Sequence, residues 1–200
     1  MDALKDRYPH KVICRKNFEV EIRPLTMEEI PKEIELFQQL DKKDQSKLPN
    51  DLNDPNYPHR MRRWIEDGRV ITLAAWSEDR VVGVLSLYPG MSTWIRHTGE
   101  VVLVTHPKFR RYGIATVLFD EMIPLAETLG LEKLYADLME EHKEAQKLLT
   151  AIGFTKEATL KNHIRDTYGR RHDLSVFSMD LDAAHRAMED LMSHFQDYSG

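Results

Sequence analysis

The feature that most constrains this chain lies at its centre. A β-branched run, Val101 to Thr105, leads through Arg110-Arg111-Tyr112-Gly113-Ile114-Ala115 into an amphipathic helical pattern beginning near Thr116. A turn between strand and helix leaves several backbone N–H groups unpaired and sets them at the positive end of the helix dipole. That is a ready-made anion site. Gly113 and Ala115 lack bulk where a ligand would approach the backbone, and Arg110 and Arg111 add the charge a pyrophosphate requires. The hexapeptide alone is a weak signal; its place after a strand and before a helix makes it a strong one.

The rest of the chain alternates between periods of two and of about 3.6. Phe18 to Leu25 reads as a strand, followed by a capping pair, Thr26 and Glu29, and by Ile30, Ile34, Phe37 and Leu40 at helical spacing. Asp41 to Pro58 is polar and reads as a solvated loop, or as a flap on the substrate side. A short helix from His59 to Asp67 precedes a hairpin, Val70 to Trp76 and Arg80 to Leu87, turning at Ser77-Glu78-Asp79. Gly99 to Thr105 is the strand that feeds the cradle. Val117, Leu118, Met122, Leu125 and Leu129 then line one helix face, with Gly130 as its stop and Pro124 expected to kink it or to make its last turns irregular. Lys133 to Met139 reads as a strand and Lys143 to Ala151 as a helix closed by Gly153. Phe154 to His163 and Arg171 to Leu181 form a last antiparallel pair around Asp166 to Gly169. The tail from Ala183 to Tyr198 is amphipathic, with Ala184, Met188, Leu191, Met192 and Phe195 on one face, suited to packing on its own domain or to forming a homodimer.

Composition excludes several classes of function. A chain of 200 residues, 42% of them apolar, suits one α/β domain with an appended element. A net charge of −5 and a pI near 6.0 argue against a nucleic-acid partner. The single cysteine, Cys14, excludes an internal disulfide framework and any metal site built on several thiolates, so a reducing, cytoplasmic setting and no metal are expected. The charged first residues do not read as a signal peptide, and no run approaches a membrane span.

The order of elements, with Arg-x-x-Gly-x-Ala at the cradle, resembles the GNAT superfamily of acyl-CoA-dependent N-acyltransferases over roughly Val20 to Leu181. The stretch Leu134 to Phe154, ending in Ala151-Ile152-Gly153-Phe154, matches a second family signature. The resemblance implies a GNAT fold of the α/β (α+β) class: a mixed sheet of about seven strands with helices on both faces. It divides the chain into an N-terminal extension (1–17), the acyltransferase domain (18–181) and an added C-terminal helix (182–200). Trp94-x-Arg96-His97-x-Gly99-Glu100 and Gly169 to Leu174 resemble a bacterial branch.

The resemblance also implies chemistry. Acetyl-CoA would place its pyrophosphate on the amides of Arg111, Tyr112, Gly113, Ile114, Ala115 and Thr116, beside Arg110. Its pantetheine arm would pair with Leu103, Val104 and Thr105. A splayed strand there exposes N–H groups that polarise the thioester carbonyl and stabilise the oxyanion. The acceptor is an amine, of a small molecule or a protein, attacking directly in a ternary complex. A lysine-like amine near pKa 10.4 is mostly protonated at neutral pH, so a general base is useful. Glu100 is the first candidate, acting through water because it lies about 16 Å along the strand from Thr105. Asp137 matches an acidic position of some relatives. His142 stands where many carry an asparagine that touches the cofactor, and could serve as base or as cofactor contact. Leu149 replaces the tyrosine that often protonates the leaving thiolate, a departure from the family pattern. Candidate acceptor walls are Asp51, Asp54 and Tyr57, then Trp94 and His97, and finally Asp166 and Tyr168. Two alternatives remain: a non-catalytic acyl-CoA-binding module and a nucleic-acid-binding module using Lys108 to Arg111.

Overall fold

The computed structural model describes residues 7–50 and 54–182. The amphipathic tail and the flap residue Asp51 lie outside the described residues. Eight strands form one sheet: β1 (His10–Cys14), β2 (Phe18–Pro24), β3 (Ile71–Ser77), β4 (Arg80–Pro89), β5 (Thr98–Thr105), β6 (Lys133–Met139), β7 (Thr155–Arg165) and β8 (Arg171–Asp180). Their order is β1-β2-β3-β4-β5-β6-β8-β7. The helices are α1 (Ile30–Gln38), α2 (Lys42–Gln45), α3 (Tyr57–Glu66), α4 (Ile114–Thr128) and α5 (Lys143–Ile152).

The sheet has one strand more than expected. It comes from the segment read as an N-terminal extension: His10–Cys14 pairs antiparallel with β2, from His10 opposite Ile22 to Cys14 opposite Phe18. Five residues are too short a run for periodicity to identify, and pairing with β2 is what makes them a strand. The polar stretch also differs from a plain loop. It contains α2, and Tyr57, read as part of the flap, is buried in the first turn of α3 beside Met61. Helix α4 begins at Ile114, two residues earlier than expected, and runs through Pro124 to Thr128. The capping pair is present, with Glu29 accepting from the Thr26 N–H at 3.0 Å.

Because strands bury alternate residues on opposite faces, the sheet carries two cores. On one face Leu73, Ala75, Leu85 and Val101 meet Leu118, Phe119 and Met122 of α4. On the other, Ala74, Trp76, Val84 and Val104 meet Ile30, Leu36 and Phe37 of α1 and Met61 of α3. Each fully buried large side chain contributes about 1.5–3 kcal/mol. Gly83 lets α4 settle on the sheet: a Cβ there would stand 2.7 Å from Cγ2 of Ile114. Among the described residues no helix is long and apolar enough to cross a membrane.

Candidate active site

Eight strands make seven neighbouring pairs, and one of these pairs, β5 and β6, does not stay together. They are the parallel pair, joined by the α4 crossover, and their pairing covers Thr98↔Lys133, Gly99↔Leu134 and Glu100↔Tyr135. Beyond that point β5 continues to pair with β4, to Thr105 opposite Gly83. In the same way β6 continues with β8, to Met139 opposite Leu174. Val101 to Thr105 therefore turn a free backbone edge toward a V-shaped cleft. An open edge of N–H and C=O groups is a template for another amide chain.

The cleft opens onto the cradle. Gly113 is the N-cap of α4, at φ +87°, and no side chain caps the helix. The N–H groups of the first turn, Ile114 to Thr116, are thus left for an external acceptor. Arg111 adopts φ +66°, and its side chain is 88% exposed, 4.0 Å from Glu144. Arg110 is engaged elsewhere: its guanidinium donates to Asp44 at 2.7 Å, tying α2 to the cradle turn. Burial raises the Asp44 carboxyl, but hydrogen bonds from Lys47 and Arg110 outweigh it and hold the group down at about 2.

The turn is supported from below by residues that sequence reading did not select. Arg15 N–H donates to the Tyr112 carbonyl at 2.9 Å. The Lys16 ammonium lies 4.3 Å from the centre of the Tyr112 ring; Phe18 stacks on Phe109, and both meet Tyr112 edge to face. The Arg15 side chain passes beside Gly113, with its Cγ 3.4 Å from where a Cβ would be. Segment 15–18 therefore acts as a buttress, which its position near the chain's start did not reveal.

The catalytic candidates divide into two groups. Glu100 is the last β5 residue paired with β6, at the vertex of the cleft. Cross-strand neighbours share a face, so Tyr88, Glu100 and Tyr135 form a row, and Asp137 follows two residues along β6. Burial raises the Glu100 carboxyl and Asp137 raises it further. Burial likewise raises Asp137, partly offset by His163. His142 stands apart from this row. It precedes α5 among Lys47, Asp44 and Arg110, where burial first, and then Lys47, lower its pKa. Leu149 is buried in the α4-side core.

One of the acceptor walls drawn from sequence is not at the cleft. Trp94, 89% exposed, and His97 precede β5 at the end opposite the cradle. The Asp166 carboxylate accepts from the Tyr168 and Arg170 N–H groups and from the Arg170 guanidinium. It organises the β7–β8 turn. Asp54 is held by Arg60 at 2.6 Å.

One residue of the cleft face escaped notice in the sequence. Glu33, 1% exposed, sits on the inner side of α1 between Ile30 and Phe37. A carboxylate on an apolar helical stripe was the signal available. Burial pushes its pKa up to about 8 despite a hydrogen bond from Tyr57. A carboxyl with a raised folded pKa stabilises the protein below its unfolded value, near 4.5, and that contribution is lost as pH rises toward 8. Glu33→Gln is therefore expected to leave the melting temperature unchanged at pH 4 and to raise it at pH 8, by about 2–4 °C per kcal/mol relieved. Thermal melts of both proteins across that range check it, and parallel curves would contradict the burial of an ionisable Glu33.

The comparisons agree with this geometry. Residues 35–154 match the family described as Acetyltransferase (GNAT) family. No curated protein sequence matches the chain. Among solved structures, an acetyltransferase of the GNAT family from Streptococcus pneumoniae superposes with a TM-score of 0.71 at 16% identity, covering 80% of this chain and 99% of its own. A ribosomal-protein-alanine N-acetyltransferase from Brucella melitensis gives 0.68 at 25% identity, covering 80% and 98%. A protein from Salmonella typhimurium assigned as an acetyltransferase, solved with its cofactor acetyl-CoA, gives 0.68 at 21%, covering 81% and 94%. The splayed parallel pair, the uncapped helix behind it and the match over more than half of its length place this chain in the GNAT family of acetyltransferases.

Proposed function

We propose that the protein moves an acetyl group from acetyl-CoA to a primary amine by direct attack in a ternary complex. The observation that carries this reading is the free edge of Val101 to Thr105 ending at an uncapped helix N-terminus. The first-turn amides of Gly113 to Thr116, with Arg111, hold the pyrophosphate. The edge at Leu103 to Thr105 pairs with the amides of the pantetheine arm, and its remaining N–H groups polarise the thioester carbonyl. His142 lies beside Arg110 and Asp44, at the cofactor side of the cleft. The acceptor comes from the opposite face of the sheet, where Glu100 and Asp137 stand. A thiol leaves acceptably without an acid, so Leu149 in the core does not prevent turnover. Assay of CoA release over a panel of amines with acetyl-CoA and longer acyl-CoAs tests the reading. Cofactor binding with no release from any amine would favour a non-catalytic acyl-CoA-binding protein, the alternative that a buried leucine at position 149 supports.

Glu100 takes the acceptor's proton, through water, in this scheme. Its raised pKa makes it a stronger base than an ordinary glutamate, and places the rise of activity with pH above the usual carboxylate range. Glu100→Gln is expected to lower kcat/KM by about 10- to 100-fold at pH 7 and progressively less as pH nears the amine's own pKa, near 10.4 for a lysine-like acceptor. Acetyl-CoA affinity stays as in the wild type. A pH–rate profile parallel to the wild type would remove Glu100 from the mechanism.

A further inference from the structure

The sheet face beneath α1 carries a carboxylate to which the described residues offer no cation. Oε2 of Glu33 is buried without a hydrogen-bond partner, while the Tyr57 hydroxyl donates to the same carboxylate. Glu33 lines a cavity of about 20 Å³ with Phe37, Asn50, Ser86, Tyr88 and Val102. That volume admits about one water-sized polar group. An idle buried carboxylate oxygen is costly, and a charged donor is the partner that stabilises it most.

The cavity and the row at the cleft share Tyr88, and Val102 of the cavity lies two residues along β5 from Glu100. Tyr88 is within electrostatic reach of both Glu33 and Glu100 and is hydrogen-bonded to Ser86 and Asn50. Tyr135, next across the vertex, is raised by burial and then by Glu100 and Asp137. Three acids thus follow one another along one face. The basic groups near them are spoken for: Arg60 packs on the Tyr57 ring and pairs with Asp54 at 2.6 Å, and His163 faces Asp137.

We propose that this row binds an aliphatic amine with two cationic nitrogens, a diamine or polyamine without a carboxylate, one nitrogen on Glu33 and another between Glu100 and Asp137. The proposal rests on the acetyltransferase reading and names its acceptor class. The nitrogen at Glu100 and Asp137 stands at the cleft and is the one acetylated; the nitrogen on Glu33 is an anchor. The reacting ammonium passes one proton, through water, to the Glu100–Asp137 pair. The neutral amine then forms the C–N bond as the C–S bond breaks, and its second proton goes to the departing thiolate. Acetylation removes that nitrogen's charge, so the product keeps one attachment and is released. A monoamine or a peptide amino terminus would leave Glu33 unpaired.

CoA release is measured with 1,5-diaminopentane, spermidine, pentylamine, lysine and an alanine-initiated peptide, and acetyl-CoA affinity by calorimetry. The diamine and spermidine are expected to exceed pentylamine in kcat/KM by at least about 30-fold. Glu33→Gln is expected to remove most of that advantage through KM while acetyl-CoA affinity is retained. The stability of this variant at pH 8 separates such a loss from unfolding. Equal kcat/KM for pentylamine and diaminopentane, or a Glu33→Gln protein that keeps the preference, overturns the diamine site and leaves acetyl transfer standing. No CoA release from any amine, or no acetyl-CoA binding, overturns both.

Discussion

Gly113→Asp is expected to lower acetyl-CoA affinity by at least about 100-fold, a loss of roughly 3 kcal/mol, while the protein stays folded. Position 113 caps α4 at φ +87°, a left-handed conformation that aspartate tolerates better than most residues. The new Cβ would meet Cγ of Arg15 at 3.4 Å, close enough to require a small adjustment of a flexible side chain. Strain is therefore the smaller effect. The carboxylate would occupy the anion site itself, accept from the first-turn amides as a cap does, and attract Arg15 and Arg111. Gly113→Asn has nearly the same shape without the charge, and is expected to lose less affinity. Calorimetric titration of both variants, with thermal melts to establish folding, separates charge from shape. Wild-type affinity in a folded Gly113→Asp protein would show that the cradle does not hold the pyrophosphate.

Phe154→Ala is expected to cost about 3–5 kcal/mol of stability, a fall in melting temperature on the order of 10 °C. Phe154 is 1% exposed and meets Phe119 of α4 edge to face, with ring centres 5.6 Å apart. Its N–H closes α5 by donating to the Leu149 carbonyl at 2.9 Å, after Gly153 has turned the chain at φ +114°. The residue joins the α5 exit to the helix that carries the cradle, so its loss opens a cavity between two elements. Urea unfolding with an unchanged m-value would register this as a pure loss of stability. A change below about 1 kcal/mol would mean that the core closes over the gap. The Gly-Phe signature that marks the family in sequence is, in this structure, a packing device, distinct from the groups that face the cleft.

What could be read from the chain depended on how local each cause was. The strand, basic turn and helix around Arg110 to Ala115 are contiguous, and their periodicities identify them before any fold is known. The same holds for the hairpin at Ser77 to Asp79 and for the Thr26–Glu29 cap. Strand His10–Cys14 was missed because its conformation is imposed by a neighbour. Pro124 marks a disturbance of the helix in the sequence, and the helix continues past it to Thr128. Asp166 looks available in the sequence as an acidic residue in a turn; in the fold it is engaged by backbone N–H groups two and four residues away, by the Arg170 guanidinium and by His172.

The division is clearest at the cleft. Sequence by itself determined the alternation of elements, the anion-binding turn and membership of an α/β class, because these follow from side-chain period, glycine conformation and helix polarity within a few residues. Tertiary structure alone decided where β5 and β6 part, which of the arginines is free, and which carboxylates share a face. Those depend on register between strands remote in sequence, where a shift of one residue turns a side chain to the other side of the sheet. Glu33 shows the limit most sharply. Its place in the helical pattern is visible in the sequence, but its isolation from any cation among the described residues arises only when α1 closes over β4 and β5.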